Sequence, residues 1–293
     1  MNSNPLIFAL VLNWNRRQDT IECLDSLKKQ EPISPMIAVL DNGSQDNSVA
    51  VIRTSFPDAE LIESSTNLGF GGGANLGFKK AIEKGADYIF LINNDAVAAP
   101  DALSHLLRFA SQDIGLLAPI IYYYKEPKRI WSAGGRLRHL LLEKTGDMNN
   151  QLDRGEWPEV LEKDFVTACC ILIPRRTLET VGDFDNHTFQ HFYEDFDFCL
   201  RIRQAGLKIL VIPQAKVWHK VASSTGGRDS PEERYWMARS SVAFIKKHAT
   251  PQQIPFIFVW RFGSALKTIL RQVMAWRWDS IRAYLSGLRD GLS

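Results

Sequence analysis

Two acidic motifs in this 293-residue sequence carry residue types that could act on a polar substrate. The first, Asn93-Asn94-Asp95, follows an apolar run and sets a carboxylate beside two amide oxygens. Such oxygen ligands suit a hard divalent cation that also holds diphosphate, although a solvated turn gives the same pattern. The second, Tyr193-Glu194-Asp195-Phe196-Asp197, opens an amphipathic run and has more acids than a helix cap needs. One of these carboxylates is a candidate general base toward a hydroxyl group.

A glycine-rich segment, Gly69–Ala74, fits the pattern G-x-G-x-x-A of dinucleotide-binding turns, and Asp95 follows about twenty residues later. The segment follows the third apolar run rather than the first, and the absence of a following Gly-Lys-Ser/Thr excludes a P-loop. Glycines before a helix also let the backbone approach a phosphate or a sugar closely. The segment leaves a nicotinamide-dependent oxidoreductase open as an alternative.

Two further motifs are ambiguous when each is taken alone. Asp41-Asn42-Gly43-Ser44 has the composition of a turn, but a carboxylate at the end of a strand also suits a base or a ribose. His219 could ligate a metal as a neutral imidazole, whereas a single histidine is more often packed or exposed. His187 and His191 have the spacing H-x-x-x-H without the glutamate of a zinc helix, so we do not expect zinc.

The elements that would position these side chains alternate along the first hundred residues. Strand-like runs alternate with helical patterns, the strands at Leu6–Leu12, Met36–Leu40, Ala59–Glu63 and Tyr88–Ile92 and the helices at Thr20–Gln30 and from Ala74 to Gly85. This alternation predicts an α/β fold with a parallel or mostly parallel sheet. Such sheets bind ligands outside the carboxyl ends of their strands, where Asn13, Asp41 and Asn93–Asp95 fall. The clustering of these residues is a stronger indication than any single motif.

After residue 110 the alternation of strand-like and helical patterns is less regular. We expect strands and a helix there, the strands at Leu116–Tyr123, Phe165–Ile173, Ile209–Ile212 and Val217–His219 and the helix at Asp195–Gln204. Between them Trp131–Trp157 reads as a long irregular insertion, and loops of that length are usually functional.

Composition limits the class of protein. Hydrophobic residues make up 45% and charged residues 23% of the chain, which is typical of a globular protein. A net charge of +2 is too small for a dedicated nucleic-acid binder. None of the four cysteines forms a C-x-x-C pair, and no run of about 18 apolar residues could span a bilayer. These features predict a cytoplasmic protein with reduced thiols.

The tail from Pro251 onward is rich in aromatic residues and has six basic residues against two aspartates. This composition is typical of an amphipathic helix at a membrane surface, and it also suits helices that pack on the core or on another subunit. We expect the tail to bind either a membrane surface or another subunit of a homo-oligomer. If it binds a membrane, we expect the protein at the inner face of the cell membrane.

Taken together in chain order, the motifs resemble those of the family-2 glycosyltransferases of GT-A fold, especially the rhamnosyltransferase-like branch. The resemblance runs from about Leu6 to Gly226 and rests on Val11–Asn15, Asp41–Ser44, Asn67–Gly71, Asn93–Asp95, Thr167-Ala168, Glu194-Asp195 and Trp218-His219. Many members have Asp-x-Asp where this chain has Asn93-Asn94-Asp95, so Asp95 is the only anionic ligand of that motif.

The resemblance implies sugar transfer from a nucleoside diphosphate donor, such as a dTDP- or UDP-sugar, to a hydroxyl of a glycan or lipid-linked acceptor, with inversion. It implies Asp195 as the base beside Glu194, and Mg²⁺ or Mn²⁺ held by Asp95 and His219. The donor residues it implies are Asn13, Asn15, Asp41, Gly69, Gly71, Asn75, Asn93, Asn94 and Asp95, and the acceptor residues are Trp131, Thr167 and Ala168.

The resemblance also implies a GT-A domain over residues 1–245, which leaves a basic aromatic extension over residues 246–293. Two alternatives stay open from the sequence. One is the oxidoreductase that would use Gly69–Ala74, and the other is a sugar nucleotidyltransferase, for which Arg16 and Arg17 lack the accompanying glycine-rich signature.

Overall fold

A ten-stranded mixed sheet runs through the described chain, which comprises residues 5–221 and 229–292 of the computed structural model. The strands, including a separate hairpin of β8 and β9, are β1 (Ile7–Asn13), β2 (Met36–Asn42), β3 (Glu60–Ser64), β4 (Tyr88–Asn93), β5 (Ala96–Ala98), β6 (Ile114–Tyr123), β7 (Glu126–Ser132), β8 (Gly135–Arg138), β9 (Glu143–Gly146), β10 (Leu161–Lys163), β11 (Cys170–Pro174) and β12 (Lys208–His219). The helices are α1 (Arg17–Lys28), α2 (Ser48–Ser55), α3 (Gly69–Glu83), α4 (Ala102–Leu107), α5 (Arg175–Val181), α6 (Glu194–Gln204), α7 (Pro231–His248), α8 (Ile254–Met274) and α9 (Trp278–Leu292).

The strand order is β10-β12-β6-β11-β4-β1-β2-β3, with β5 paired to β12 and β7 to β6. Strand β1 is parallel to β2 and β4, and β2 is parallel to β3, so these strands end at one edge of the sheet. Strand β11 is antiparallel to β4 and β6, while β12 runs parallel to β6. The mostly parallel α/β sheet expected from the sequence is confirmed.

Strand β1 shows how the core is divided between the two faces of the sheet. All seven of its residues are buried, as expected for a strand covered on both sides. Phe8, Leu10 and Leu12 belong to the cluster that includes Phe78 of α3. Ile7, Ala9 and Val11 belong to the cluster on the other face, with Leu24 and Leu27 of α1.

The glycine-rich segment is the beginning of α3 and not a loop before it. The sequence placed the helix from Ala74, but the structure starts it at Gly69. A Cβ on Gly73 would lie 3.0 Å from Leu40 Cδ2, and one on Gly77 would lie 2.3 Å from Leu10 Cδ2. These glycines let the helix lie close against the sheet, and that tertiary packing outweighs the low helix propensity of glycine.

The second half of the chain is more regular than expected. The separate strands at Ile209–Ile212 and Val217–His219 are one strand, β12, with an irregularity in its pairing between Ile212 and Lys216. The insertion Trp131–Trp157 contains the β8–β9 hairpin. The strand expected at Phe165–Ile173 begins only at Cys170.

Helix α7 joins the sheet domain to the C-terminal helices. Its Phe244 ring stacks on Phe196 of α6, with centroids 4.5 Å apart. The buried carboxylate of Asp197 on α6 accepts from Lys247 Nζ and His248 Nε2, each at 2.7 Å, and from Arg201 Nε at 2.8 Å. Helix α7 thus crosses residue 245, so the division into 1–245 and 246–293 stays a prediction.

Within residues 5–221 and 229–292, no helix is both long enough and apolar enough to cross a bilayer.

Candidate active site

A cleft of about 620 Å³ lies at the carboxyl ends of β1, β2 and β4. Seven of the residues expected to bind the donor or the metal line it: Asn13, Asn15, Gly69, Asn93, Asn94, Asp95 and His219. The wall is completed by residues from strand ends, loops and the first turns of α3 and α7: Leu12, Trp14, Arg16, Asn42, Asn67, Phe70, His191, Phe192 and Glu232. The cleft therefore lies at the edge of the sheet where the sequence predicted a ligand site.

Asn13, fully buried at the end of β1, is the centre of a hydrogen-bond network on the cleft floor. Its Nδ2 donates to Asp41 Oδ1 at 2.7 Å, and its Oδ1 accepts from Thr20 Oγ1 at 2.6 Å. Asp41 Oδ2 accepts from the Ser44 backbone N–H at 2.9 Å. Asp41 does not line the cleft, and both of its oxygens serve to hold Asn13 and the following turn.

The loop after β1 forms the rim of the cleft. Asn15 and Arg16 both have left-handed backbone angles, with φ of 58° and 59°. Asn15 Oδ1 accepts from the Gln45 backbone N–H at 3.0 Å, which ties this loop to the turn after β2. On the other side, Asn94 Nδ2 donates to Thr20 Oγ1 at 3.0 Å.

Asp95 and His219 meet at the base of the cleft. Their Oδ1 and Nε2 atoms lie 2.9 Å apart, and β5 pairs with β12 so that His219 is opposite Ala96. Burial by itself would lower the pKa of His219, but the nearby Cys169 sulfur and the Asp95 carboxylate outweigh it and raise that pKa above the usual 6.5. The ring of Trp131 contacts His219 edge-on with centroids 4.5 Å apart.

Asp95 and His219 are the candidate ligands for a divalent cation, which would have to displace the proton that the raised pKa of His219 keeps on the imidazole. A carboxylate oxygen and an imidazole nitrogen 2.9 Å apart are close enough to bind the same ion. The described residues contain no group of three or more His, Cys, Asp and Glu side chains that could hold a metal. Any cation here would take its remaining ligands from substrate oxygens and water.

The acidic pair lies on the first turn of α6, behind an unusual backbone. Phe192 and Tyr193 have φ values of 61° and 71°, so two consecutive left-handed residues turn the chain into the helix. Asp195 Oδ2 accepts from the Ala168 backbone N–H at 3.4 Å. Two consecutive non-glycine residues in this conformation store strain, which proteins concentrate at functional sites.

Glu194 differs sharply from its neighbour Asp195. Its Oε2 atom is buried without a hydrogen-bond partner among the described residues. Burial, and next the charge of Asp195, raise the pKa of Glu194 from 4.5 to about 8. The raised pKa favours the protonated form of Glu194 near neutral pH, so Asp195 is the better candidate for a general base.

Lys144 of β9 lies beside this acidic pair in a group of aromatic rings. Its Nζ lies 4.6 Å from the ring centroid of Phe165, 5.0 Å from Tyr193 and 5.4 Å from Phe196. Its charge also opposes the rise in the pKa of Glu194. The hairpin, which the sequence did not predict, thus brings a cation to the first turn of α6.

The remaining expected residues fall into two groups. Ala168 contacts Asp195 and Thr167 precedes it in the chain, and their assignment to the acceptor stays a prediction. Gly71 and Asn75 do not line the cleft. Asn75 Nδ2 instead donates to the Phe184 backbone C=O at 2.8 Å, and a Cβ on Gly71 would lie 3.3 Å from Asn186 Cβ, so both support the loop before α6.

Several cleft residues were not predicted from the sequence. Trp14, His191 and Phe192 line the cleft from loops, while Phe70 and Glu232 lie in the first turns of α3 and α7. The aromatic residues directly beside the polar motifs, Trp14 and Phe192, were the available signal. Residues 222–228, where the resemblance ends, lie outside the described residues.

The chain is similar to known proteins over the region that contains these motifs. The sequence profile of glycosyl transferase family 2 matches residues 9–180, which is more than half of the chain. An N-acetylglucosaminyl-diphospho-decaprenol L-rhamnosyltransferase of Mycobacterium tuberculosis is 26% identical over 84% of this chain and 85% of its own. The dTDP-rhamnosyl transferase RfbF of Shigella flexneri is 22% identical over 86% of this chain and 83% of its own.

Two solved structures show the same fold. The mannosyltransferase PcManGT of Pyrobaculum calidifontis, in complex with GDP-Man and Mn²⁺, has a TM-score of 0.61 at 14% identity and covers 99% of this chain and 88% of its own. GalNAc-T7 with UDP, GalNAc and Mn²⁺ has a TM-score of 0.64 at 14% identity and covers 86% of this chain and 52% of its own. The GT-A fold expected from the sequence is confirmed.

Proposed function

The chain belongs to glycosyl transferase family 2, and from this premise we propose that it transfers a sugar from a dTDP- or UDP-sugar to an acceptor hydroxyl in cell-wall or polysaccharide synthesis. Two relatives named as rhamnosyltransferases match more than four-fifths of the chain, which favours rhamnose as the sugar. The family match favours this function over the oxidoreductase and nucleotidyltransferase alternatives.

The observation that carries the proposal is that one segment contacts both parts of the site. The Ala168 N–H donates to Asp195 Oδ2 at 3.4 Å, and the next residue, Cys169, accepts from the Asn93 N–H through its C=O at 2.8 Å. The acidic pair and the strand end that leads to Asp95 therefore lie on either side of Thr167–Cys169. This arrangement supports a donor in the cleft and an acceptor above Ala168.

In the proposed mechanism Asp195 accepts the proton of the acceptor hydroxyl as its oxygen attacks the anomeric carbon. The attack comes from the face opposite the departing nucleoside diphosphate, so the configuration inverts. Glu194, in the protonated form that its raised pKa favours, keeps a second negative charge away from Asp195. Positioned bases of this kind contribute roughly 10²–10⁴-fold to the rate.

We propose that Asp95 and His219 hold Mg²⁺ or Mn²⁺. When bound, such an ion offsets the negative charge that forms on the leaving diphosphate. Asn15, Asn93 and Asn94 supply neutral polar groups along the cleft, which suit the base and ribose of the donor. The buried Asn13 holds Asp41 and Thr20 beneath them. The Mn²⁺ named in both neighbouring structures agrees with this choice of ion.

The proposed acceptor is a glycan or a lipid-linked saccharide, since one relative is named for a diphospho-decaprenol acceptor. Such an acceptor would place the enzyme at the cytoplasmic face of the cell membrane. The division into a catalytic domain over residues 1–245 and an extension over 246–293 belongs to the same proposal.

The proposal is tested by a donor screen with the purified full-length chain. Release of nucleoside diphosphate would be measured with dTDP-rhamnose, UDP-sugars and GDP-mannose, with an N-acetylglucosaminyl diphospholipid as acceptor. We expect release that depends on the acceptor with a dTDP- or UDP-sugar. Absence of transfer from every donor, together with binding of a nicotinamide cofactor, would refute it.

A further inference from the structure

Helix α8 presents its most apolar face to solvent. Phe258, Phe262, Leu266, Leu270 and Met274, each four residues after the last, are 70%, 66%, 50%, 53% and 77% exposed. We call these five residues the apolar stripe of α8. In a helix on the surface of a soluble protein such a stripe faces the core. A contiguous exposed apolar patch marks a surface that binds something.

Basic residues outnumber acidic ones around the stripe, although Arg261 and Arg271 form ion pairs with Glu143 and Asp229, at 3.7 Å and 2.7 Å. Helix α8 contains Arg261, Lys267 and Arg271 and no aspartate or glutamate. Two tryptophans follow the helix, Trp276 at 79% and Trp278 at 50% exposure. Aromatic and apolar groups flanked by cations are complementary to an anionic lipid surface, where the apolar groups enter the bilayer and the cations meet headgroups.

The tip of the β8–β9 hairpin extends the same surface. Leu140 at the tip is 52% exposed. Gln253 Nε2 donates to the His139 backbone C=O at 2.5 Å, next to the start of α8. The Arg138 guanidinium lies 5.7 Å from the Trp260 ring centroid. The hairpin and α8 therefore form one continuous surface.

This surface is connected to the acidic pair through Lys144, which follows the hairpin tip. Its Nζ lies against Phe165, Tyr193 and Phe196, directly at the start of α6. A molecule held at the hairpin would therefore be adjacent to the part of the site that contains Asp195.

We propose that the apolar stripe of α8 and the tip of the β8–β9 hairpin dock onto an anionic lipid bilayer and bring a lipid-linked acceptor to the Asp195 side of the site. The acceptor part of this inference rests on the proposed function. A second copy of the chain fits the surface less well, because α8 has no acid to pair with Lys267 of its partner.

The test is co-sedimentation of the full-length chain with vesicles of phosphatidylglycerol and phosphatidylcholine in equal parts, and with pure phosphatidylcholine. We expect binding to the anionic vesicles that weakens with salt. The double variant Phe258→Ser/Phe262→Ser should bind at least tenfold more weakly. The control Leu152→Ser, at a site 57% exposed in another loop, should bind as the unaltered chain does.

Equal binding by the double variant and the control would overturn the inference, as would absence of binding by the unaltered chain. A particle mass that halves in the double variant, measured by light scattering without vesicles, would assign the stripe to a subunit interface instead. Binding of dTDP and UDP, measured by calorimetry, should be unchanged in both variants. Failure of nucleotide binding in the unaltered chain would count against the proposed function, whatever the vesicles show.

Discussion

Replacement of Glu194 by glutamine would test the protonation state of the acidic pair. The buried Oε2 has no hydrogen-bond partner in the described part of the chain. Burial, and then repulsion from Asp195, raise the pKa of Glu194 from 4.5 to about 8. Between those values the folded chain holds a proton on Glu194 that the unfolded chain has lost. The free energy of unfolding should therefore fall as pH rises through this range.

The size of the effect follows from the two pKa values. One pKa unit corresponds to about 1.4 kcal/mol, so the shift to about 8 sets an upper limit of roughly 4–5 kcal/mol. Relaxation of the site and entry of water reduce such costs, and we expect at least about 2 kcal/mol to remain. Glutamine has the same shape and does not ionise. The Glu194→Gln variant should therefore escape this loss of stability.

The assay is urea unfolding at pH 5 and pH 9 for the unaltered chain, Glu194→Gln and the control Glu156→Gln, which changes an exposed side chain. The stability of Glu194→Gln relative to the unaltered chain should rise by at least about 2 kcal/mol between the two pH values. The control should show no such rise. A difference that stays constant within about 0.5 kcal/mol would show that Glu194 does not titrate in this range, and the argument for Asp195 as the base would lose its support.

Four further substitutions test the site and the fold. Asp195→Asn should bind donor normally and lose roughly 10²–10⁴-fold in turnover, and retention of a tenth of the activity would exclude Asp195 as the base. Asp95→Ala should weaken both Mn²⁺ and dTDP binding in calorimetry, and full activity in excess chelator would contradict the metal assignment. Gly77→Ala should lower the free energy of unfolding by about 1–3 kcal/mol, because its Cβ would lie 2.3 Å from Leu10 Cδ2. Gly263→Ala, in a helix with open space around it, should leave stability unchanged or raise it by about 0.5–1 kcal/mol in the same unfolding measurement.

The first half of the fold could be predicted because local sequence and tertiary structure agree there. Strands such as β1 are buried on both faces, so their apolar runs are continuous and their ends are marked by Asn13 or Asn93. The start of α3 was missed because the close approach of Gly73 and Gly77 to the sheet is a tertiary effect. The β8–β9 hairpin has strands of only four residues. Buried and exposed residues alternate in β8, but β9 has no large apolar residue, so the segment looked irregular.

The candidate site was predictable to the extent that strand ends determine it. Asn13, Asn93 and Asp95 follow apolar runs directly, so their common edge could be inferred. The positions of Phe192 and Tyr193 depend on left-handed backbone angles that neither residue type favours. Lys144 reaches the acidic pair across the fold, and no local pattern records that contact.

The buried carboxylate of Asp197 ties the end of α7 to α6, the helix that begins with Glu194 and Asp195. Three basic side chains meet it, and two of them, Lys247 and His248, come from α7. Asp197 lies two residues after the proposed base, Asp195. Removing the chain after residue 245 would leave its buried carboxylate with Arg201 alone of these three partners. Breaking a buried ion pair in this way costs about 3–5 kcal/mol. An enzyme of this kind could therefore exchange the tail from Pro251 onward for another docking surface only by keeping the last turn of α7. A chain cut after residue 245 would lose activity whether or not a lipid surface matters.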